Sequence, residues 1–194
     1  MNWIGATLYW LIYMSFFEYC VHEMMHRPPP FAQRLIQIYL DGRKTKHRAT
    51  LLMLIGRSVR FLVREHISHH SVFKSGATYH LRAKDRRNLT PIFDKTGRVL
   101  IVIAAWIIGA GPALIFGAKG AAIGLPIVAA YYLAIERIHL RTHAMDNRVP
   151  GWFAYFHTIH VRHHEDTASH LNFFLPIADS VVPLLNRAMK ARKI

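Results

Sequence analysis

The stretch NWIGATLYWLIYMSFFEYCVHEMMH, residues 2–26, decides the reading of the whole chain. No residue between Asn2 and Glu18 is charged, and Trp3, Tyr9, Trp10, Tyr13, Phe16 and Phe17 alternate with aliphatic side chains. Such a run is about the minimum length for a transmembrane helix. It lacks the basic start and small-residue cleavage site of a secretory signal. It leads instead into His22 and His26, four residues apart and therefore on one helical face.

Three more histidine packets follow: His66, His69 and His70; His139 and His143; and His160, His163 and His164. The order pair, triplet, pair, triplet has no reason to arise from core packing. Each spacing is helical, so the rings of a packet can converge on a common point, and ten imidazoles suit two metal ions. Cys20 is the only cysteine, which excludes an intramolecular disulfide and thiolate ligation.

Of the 194 residues, 52% are hydrophobic and 19% charged, against roughly 25% charged in a soluble domain. Two further charge-poor runs lie between Arg98 and Lys119 and between Lys119 and Glu136. Residues 116–120 separate them, so they read as a helical hairpin, with kinks expected at Gly111-Pro112 and at Pro126. The fold class expected is all-α: one domain over residues 1–194, an integral membrane bundle of about three transmembrane helices capped by helices carrying the histidines.

All but one of the 25 Lys and Arg residues lie either between His26 and Val99 or after Ile135; the exception is Lys119, at the hairpin tip. Positive charge collects on the cytoplasmic side of membrane proteins. With the amino terminus outside, all four packets fall on the cytoplasmic face, of a bacterial inner membrane or of the endoplasmic reticulum. The net charge of +14 is thereby explained without nucleic acid, which is not an expected partner. Leu51 to Val63, with Arg57 and Arg60 among apolar residues, reads as a helix in the lipid interface.

Other residues extend the candidate site. His157 shares the helical face of His160 and His164, His170 flanks the last triplet, and the loop residue His80 can complete a coordination sphere. His47 reads as part of a basic surface. Ligating imidazoles usually donate their second N–H to a carboxylate or carbonyl. Glu18, Glu65, Glu136, Glu165 and Asp166 lie within one turn of a packet and are candidates for that role.

At Glu18 to His26, Glu65 to His70, His139 to His143 and His160 to His164 the chain resembles the fatty acid hydroxylase superfamily of membrane di-iron enzymes. This superfamily includes fatty acid and sphingolipid hydroxylases, sterol desaturases and carotenoid hydroxylases. Pro176-Ile177-Ala178-Asp179 is similar to its closing Pro-x-x-Asp element, which brings Asp179 into the set of candidates. The resemblance implies that the ten packet histidines hold two iron ions, with zinc able to substitute, and that no catalytic residue is needed beyond these ligands. It implies a mono-oxygenase-type oxidoreductase that uses O2 as co-substrate and hydroxylates an unactivated C–H bond of a membrane lipid. Electrons would come from an external cytochrome b5-, ferredoxin- or reductase-like donor.

Desaturation at the same centre is the nearest alternative. A membrane cytochrome needs only two axial histidines per haem, so triplets exceed its requirement. A metal carrier would need ionisable residues within its spans to relay an ion, and the expected spans lack them.

Overall fold

The computed structural model describes residues 2–45, 50–73, 95–144 and 150–191; His47 and His80 lie outside the described residues. Helix α1 (Trp3–His26) opens with the Asn2 side chain accepting a hydrogen bond from the Gly5 N–H at 2.9 Å, a standard N-cap. Three prolines at 28–30 stop it, and the last begins α2 (Pro30–Lys44), where its missing N–H costs nothing. Helix α3 (Leu51–Val72) packs along α2. The approach is tight at Gly56, where a Cβ would strike the Leu35 carbonyl oxygen.

Helix α4 (Lys95–Ala113) contains Pro112 in its last turn and gives way to a 3-10 turn at Leu114–Phe116. Gly117, at φ 79°, then turns the chain into the short α5 (Gly117–Ala122), and α6 (Gly124–Ala144) runs back. The expected reversal at 116–120 is thus built from a left-handed glycine and one short helix. Trp106 Nε1 donates to the Ala121 carbonyl at 3.0 Å and folds α5 onto α4. Pro126 lies in the first turn of α6, where an N–H has no intrahelical partner to lose, so the expected kink of the second arm has no cause. A 3-10 turn at Gly151–Phe153 precedes α7 (Ala154–Glu165), and α8 (Ile177–Ala191) ends the described chain.

Every regular element among the described residues is helical. Two segments, Trp3–His26 and Ile101–Ala122, are long and apolar enough to cross a membrane, where the sequence led us to expect three. The physical reason is length: the charge-free part of α6 ends before Glu136, and twelve residues rise only about 18 Å against a hydrocarbon core of roughly 30 Å. The expected interfacial helix at 51–63 is the first half of α3, which leaves Leu51, Leu52 and Leu54 exposed and then continues without a break into the second histidine packet.

Trp10 holds α1, α4 and α6 together. Fully buried, it donates from Nε1 to the Gly120 carbonyl at 3.0 Å, and its indole fills the space that side chains at Gly109 and Gly124 would need. Tyr9 and Tyr13 donate to the carbonyls of Gly109 at 2.8 Å and Ala105 at 2.9 Å, so one stripe of α1 is bonded along α4. Met14, Val128 and Tyr131 complete this core. Its consequence for the site is rigidity, since the lower ends of α1 and α6 carry the histidine pairs.

Replacing Trp10 by alanine is expected to cost about 3–5 kcal/mol, read as a lower unfolding temperature of the detergent-solubilised chain. Gly124→Leu should destabilise as well, because its side chain enters the volume of the indole. An unchanged transition in both variants would remove Trp10 from this role.

Candidate metal centre

The four packets come together. Ligand atoms of His22, His26, His66, His70 and His163 lie within 4.8 Å of one another, as do those of His69, His139, His143 and His160. His164 joins the second group through its Nε2, 3.1 Å from that of His160, while its ring stacks on His70 at 4.2 Å. All ten packet histidines therefore belong to two adjoining groups.

The triplets divide between the groups instead of each converging on one point, and helix geometry explains the division. At 100° per residue, positions i and i+4 differ by about 40°, whereas i+3 lies about 100° from i+4. Helix α3 gives His66 and His70 to the first group and turns His69 to the second. Helix α7 does the reverse, giving His160 and His164 to the second group and His163 to the first. With the α1 pair in the first group and the α6 pair in the second, each site receives a pair, an i,i+4 doublet and one i+3 ring, an approximate two-fold exchange of roles.

The separations suit coordination. The Nε2 atom of His26 is 2.8 Å from that of His66 and 3.1 Å from that of His163, which is itself 3.2 Å from that of His70. In the other group, Nε2 separations are 3.1 Å for His139 and His69 and 2.7 Å for His160 and His143. Nitrogens about 2.0–2.1 Å from a common ion stand about 2.9–3.4 Å apart when adjacent. His22 supplies the sharpest test: its Nδ1 is 2.9 Å from the Leu171 carbonyl, whereas its buried Nε2 has no hydrogen-bond partner. A buried nitrogen without a partner costs free energy unless something binds it. The residues present therefore fit a metal ion.

Burial keeps the rings in the neutral, ligating form. Desolvation, reinforced by neighbouring imidazoles, pushes His66, His69 and His160 well below the ordinary histidine value and His70 to about 2. Burial takes His163 to about 3 and His164 to about 4, partly opposed by main-chain hydrogen bonds at Ser169 and Phe73 respectively.

The loop at 169–173 holds the rings from behind. The Ser169 carbonyl accepts from Nδ1 of His163 at 2.9 Å, as Leu171 does for His22. Asp179 holds this loop by accepting from the N–H groups of Leu171 at 3.0 Å and Asn172 at 2.9 Å. Glu18 accepts from the Phe173 N–H at 2.7 Å, the Tyr131 hydroxyl at 2.9 Å and the Asn172 amide at 3.2 Å. Both carboxylates act on the loop and not on a ring. Phe173 closes the site on one side, 4.7 Å from His22 and 4.5 Å from His160, and Phe73 on another, 4.3 Å from His143.

The remaining candidates are not members of the two groups. Glu65 pairs with Arg64 at 2.6 Å on the outer side of α3, away from the rings. Glu136 is half-buried one turn before His139, and the half-buried His157 joins neither group. His170, at φ 54°, faces a cavity behind the loop. Glu165 and Asp166 are exposed; the latter caps its own turn through Ala168 at 3.0 Å.

Asn172, Ser15, Tyr131, Phe173 and Phe73 were not anticipated. An amide within the apolar run Leu171-Asn172-Phe173-Phe174-Leu175 was the one available signal. Fully buried, it bonds the Ser15 carbonyl at 2.7 Å and the Asp179 N–H at 3.1 Å.

Comparison with protein families, with characterised proteins and with solved structures finds no match to this chain. Its own geometry defines the class: an all-helical, histidine-rich protein with two adjoining sites that can hold metal, beside two helices apolar enough to cross a membrane.

Asn172→Leu should cost about 1–3 kcal/mol for each buried partner left unsatisfied, measured as a lower unfolding temperature. Asn172→Asp keeps the acceptor for the Asp179 N–H but sets a buried carboxylate against Glu18 and the Ser15 carbonyl, so it should cost at least as much. The pH dependence has a definite sign. Above the ordinary histidine value of 6.5 both folded and unfolded chains hold neutral rings, so this contribution is constant. Below it the unfolded chain takes up protons that the buried rings refuse, so metal-free stability should decline as pH falls from 6.5 toward 4. A flat melting temperature across that window would contradict the burial of neutral histidine.

Proposed function

We propose that this chain is a membrane-bound di-iron oxygenase that hydroxylates a C–H bond of a lipid. The observation that carries the reading is the meeting of four distant histidine packets in two adjoining five-ring groups. Support comes from the resemblance of those packets, and of the element closing at Asp179, to the fatty acid hydroxylase superfamily. Iron bound in both groups would supply activation of O2 and oxidation of the C–H bond, with electrons from an external donor.

The chain's own residues perform the remaining tasks. Leu171 and Ser169 carbonyls fix the tautomer and direction of His22 and His163, so that each ring offers Nε2. Phe173 and Phe73 pack on the rings and exclude water from the reacting region. The helices that lead into the histidine pairs present apolar surface, including Leu8, Ile12 and Leu133, along which an acyl chain can lie. In this reading α1 and the segment 101–122 cross the bilayer, α6 enters it in part, and the basic segments keep the histidines on the cytoplasmic side.

Lipid mass spectrometry of a bacterial host with and without the expressed chain provides the test. Species gaining one oxygen are expected with the native sequence and should fall at least about tenfold with His70→Ala or His164→Ala. Species losing two hydrogens would assign desaturation instead. An unaltered lipid profile from an iron-loaded chain would contradict the oxygenase reading.

A further inference from the structure

Behind the loop that orients the histidines, α1, α7 and α8 border a half-open cavity of about 490 Å³. That is within the range of roughly 300–1,000 Å³ for small-molecule sites. Its wall includes Tyr19, Thr158, Arg162, Ser169, His170 and Pro183. His170 adopts a left-handed backbone, uncommon outside glycine, at this wall. The cavity takes no part in either histidine group.

We propose that this cavity binds an anionic headgroup, a phosphate or a carboxylate, with Arg162 as its charged contact. The lining is rich in hydrogen-bond donors: a guanidinium, tyrosine and threonine hydroxyls and an imidazole, which suit a ligand made of acceptor oxygens. Arg162 is exposed at this wall and joins neither ion pair of the described residues, Lys44 with Asp41 and Arg64 with Glu65. The carboxylate in the wall, Asp179, already accepts from the Leu171 and Asn172 N–H groups, one to each oxygen. It also sits in the first turn of α8, where the helix dipole offsets its charge.

Past Pro183, Arg187 follows by four residues and so stands on the cavity side of α8, as does Ser180. Of the exposed apolar residues of α8, Leu184 is the one beside this face, whereas Leu185 and Met189 turn to the far side. Ser169 ties the cavity to the metal centre, because it lines the wall while its carbonyl holds His163.

The test uses the full metal-free chain in neutral detergent, so it does not depend on the oxygenase reading. Binding of inorganic phosphate is measured by calorimetry, and binding of lipid with bicelles of phosphatidylcholine with and without phosphatidylglycerol. Arg162→Gln should weaken binding at least about tenfold, since a hydrogen bond to a charged group exceeds the 1.4 kcal/mol that equals one decade. Arg162→Lys should retain part of it, and Thr158→Val provides a second, uncharged probe of the same wall. Arg34→Gln, an exposed position on α2, should bind as the native chain does.

Binding of phosphate without preference for phosphatidylglycerol supports the site with a soluble anion as occupant. Preference for the anionic lipid supports it with a membrane lipid. Equal affinity in native, Arg162→Gln and Thr158→Val chains, or an equal loss in Arg34→Gln, would overturn it as a general effect of net charge.

Discussion

Ten imidazoles packed ring against ring, mostly out of contact with water, impose the constraint on which the rest of the structure depends. Each carries two polar nitrogens, and neutral rings cannot satisfy one another when three Nε2 atoms meet within about 3 Å, as they do around His26. Protonation offers no escape, because burial has removed the water that would stabilise the charge. A shared cation resolves the conflict, since it takes lone pairs from several directions at once. The turn angle of the helix then dictates that two sites form, because a His-x-x-His-His triplet faces two directions.

The site is anchored at both ends. Above it, Trp10 sets the spacing of α1, α4 and α6, and two of these helices continue into histidine pairs. Beside it, the loop at 169–173 is held by Glu18 from α1, Tyr131 from α6 through Glu18, and Asp179 from α8. Metal affinity in such sites depends on ring orientation as well as ligand count. A polar network of Glu18, Tyr131, Asn172, Ser15 and Asp179 therefore belongs to the centre as much as the rings do.

Much of this is legible in the chain, and the boundary of legibility is physical. Packets such as His22 with His26 announce themselves because helical period is local and repeats. The partition of His66 and His70 from His69 follows from the same period, but which group each ring joins depends on α1 and α6, distant in sequence. Asn172 and Ser15 are single residues with no period, and they meet across 157 positions. Glu65 fitted the expectation by proximity alone, yet the helix turns it outward to Arg64. The third apolar run ended as the first half of a longer helix, because Glu136 and the α6 histidines are continuous with it.

The proposed function rests on the union of two apolar helices with two neutral-imidazole groups that can hold metal. The most direct measurement is X-ray absorption, with metal analysis, on the full chain reconstituted with iron and washed free of excess. The account predicts about two ions per chain, each surrounded mainly by imidazole nitrogens at about 2.0–2.1 Å. Iron that washes away, or that is retained with a mostly oxygen environment, would contradict it.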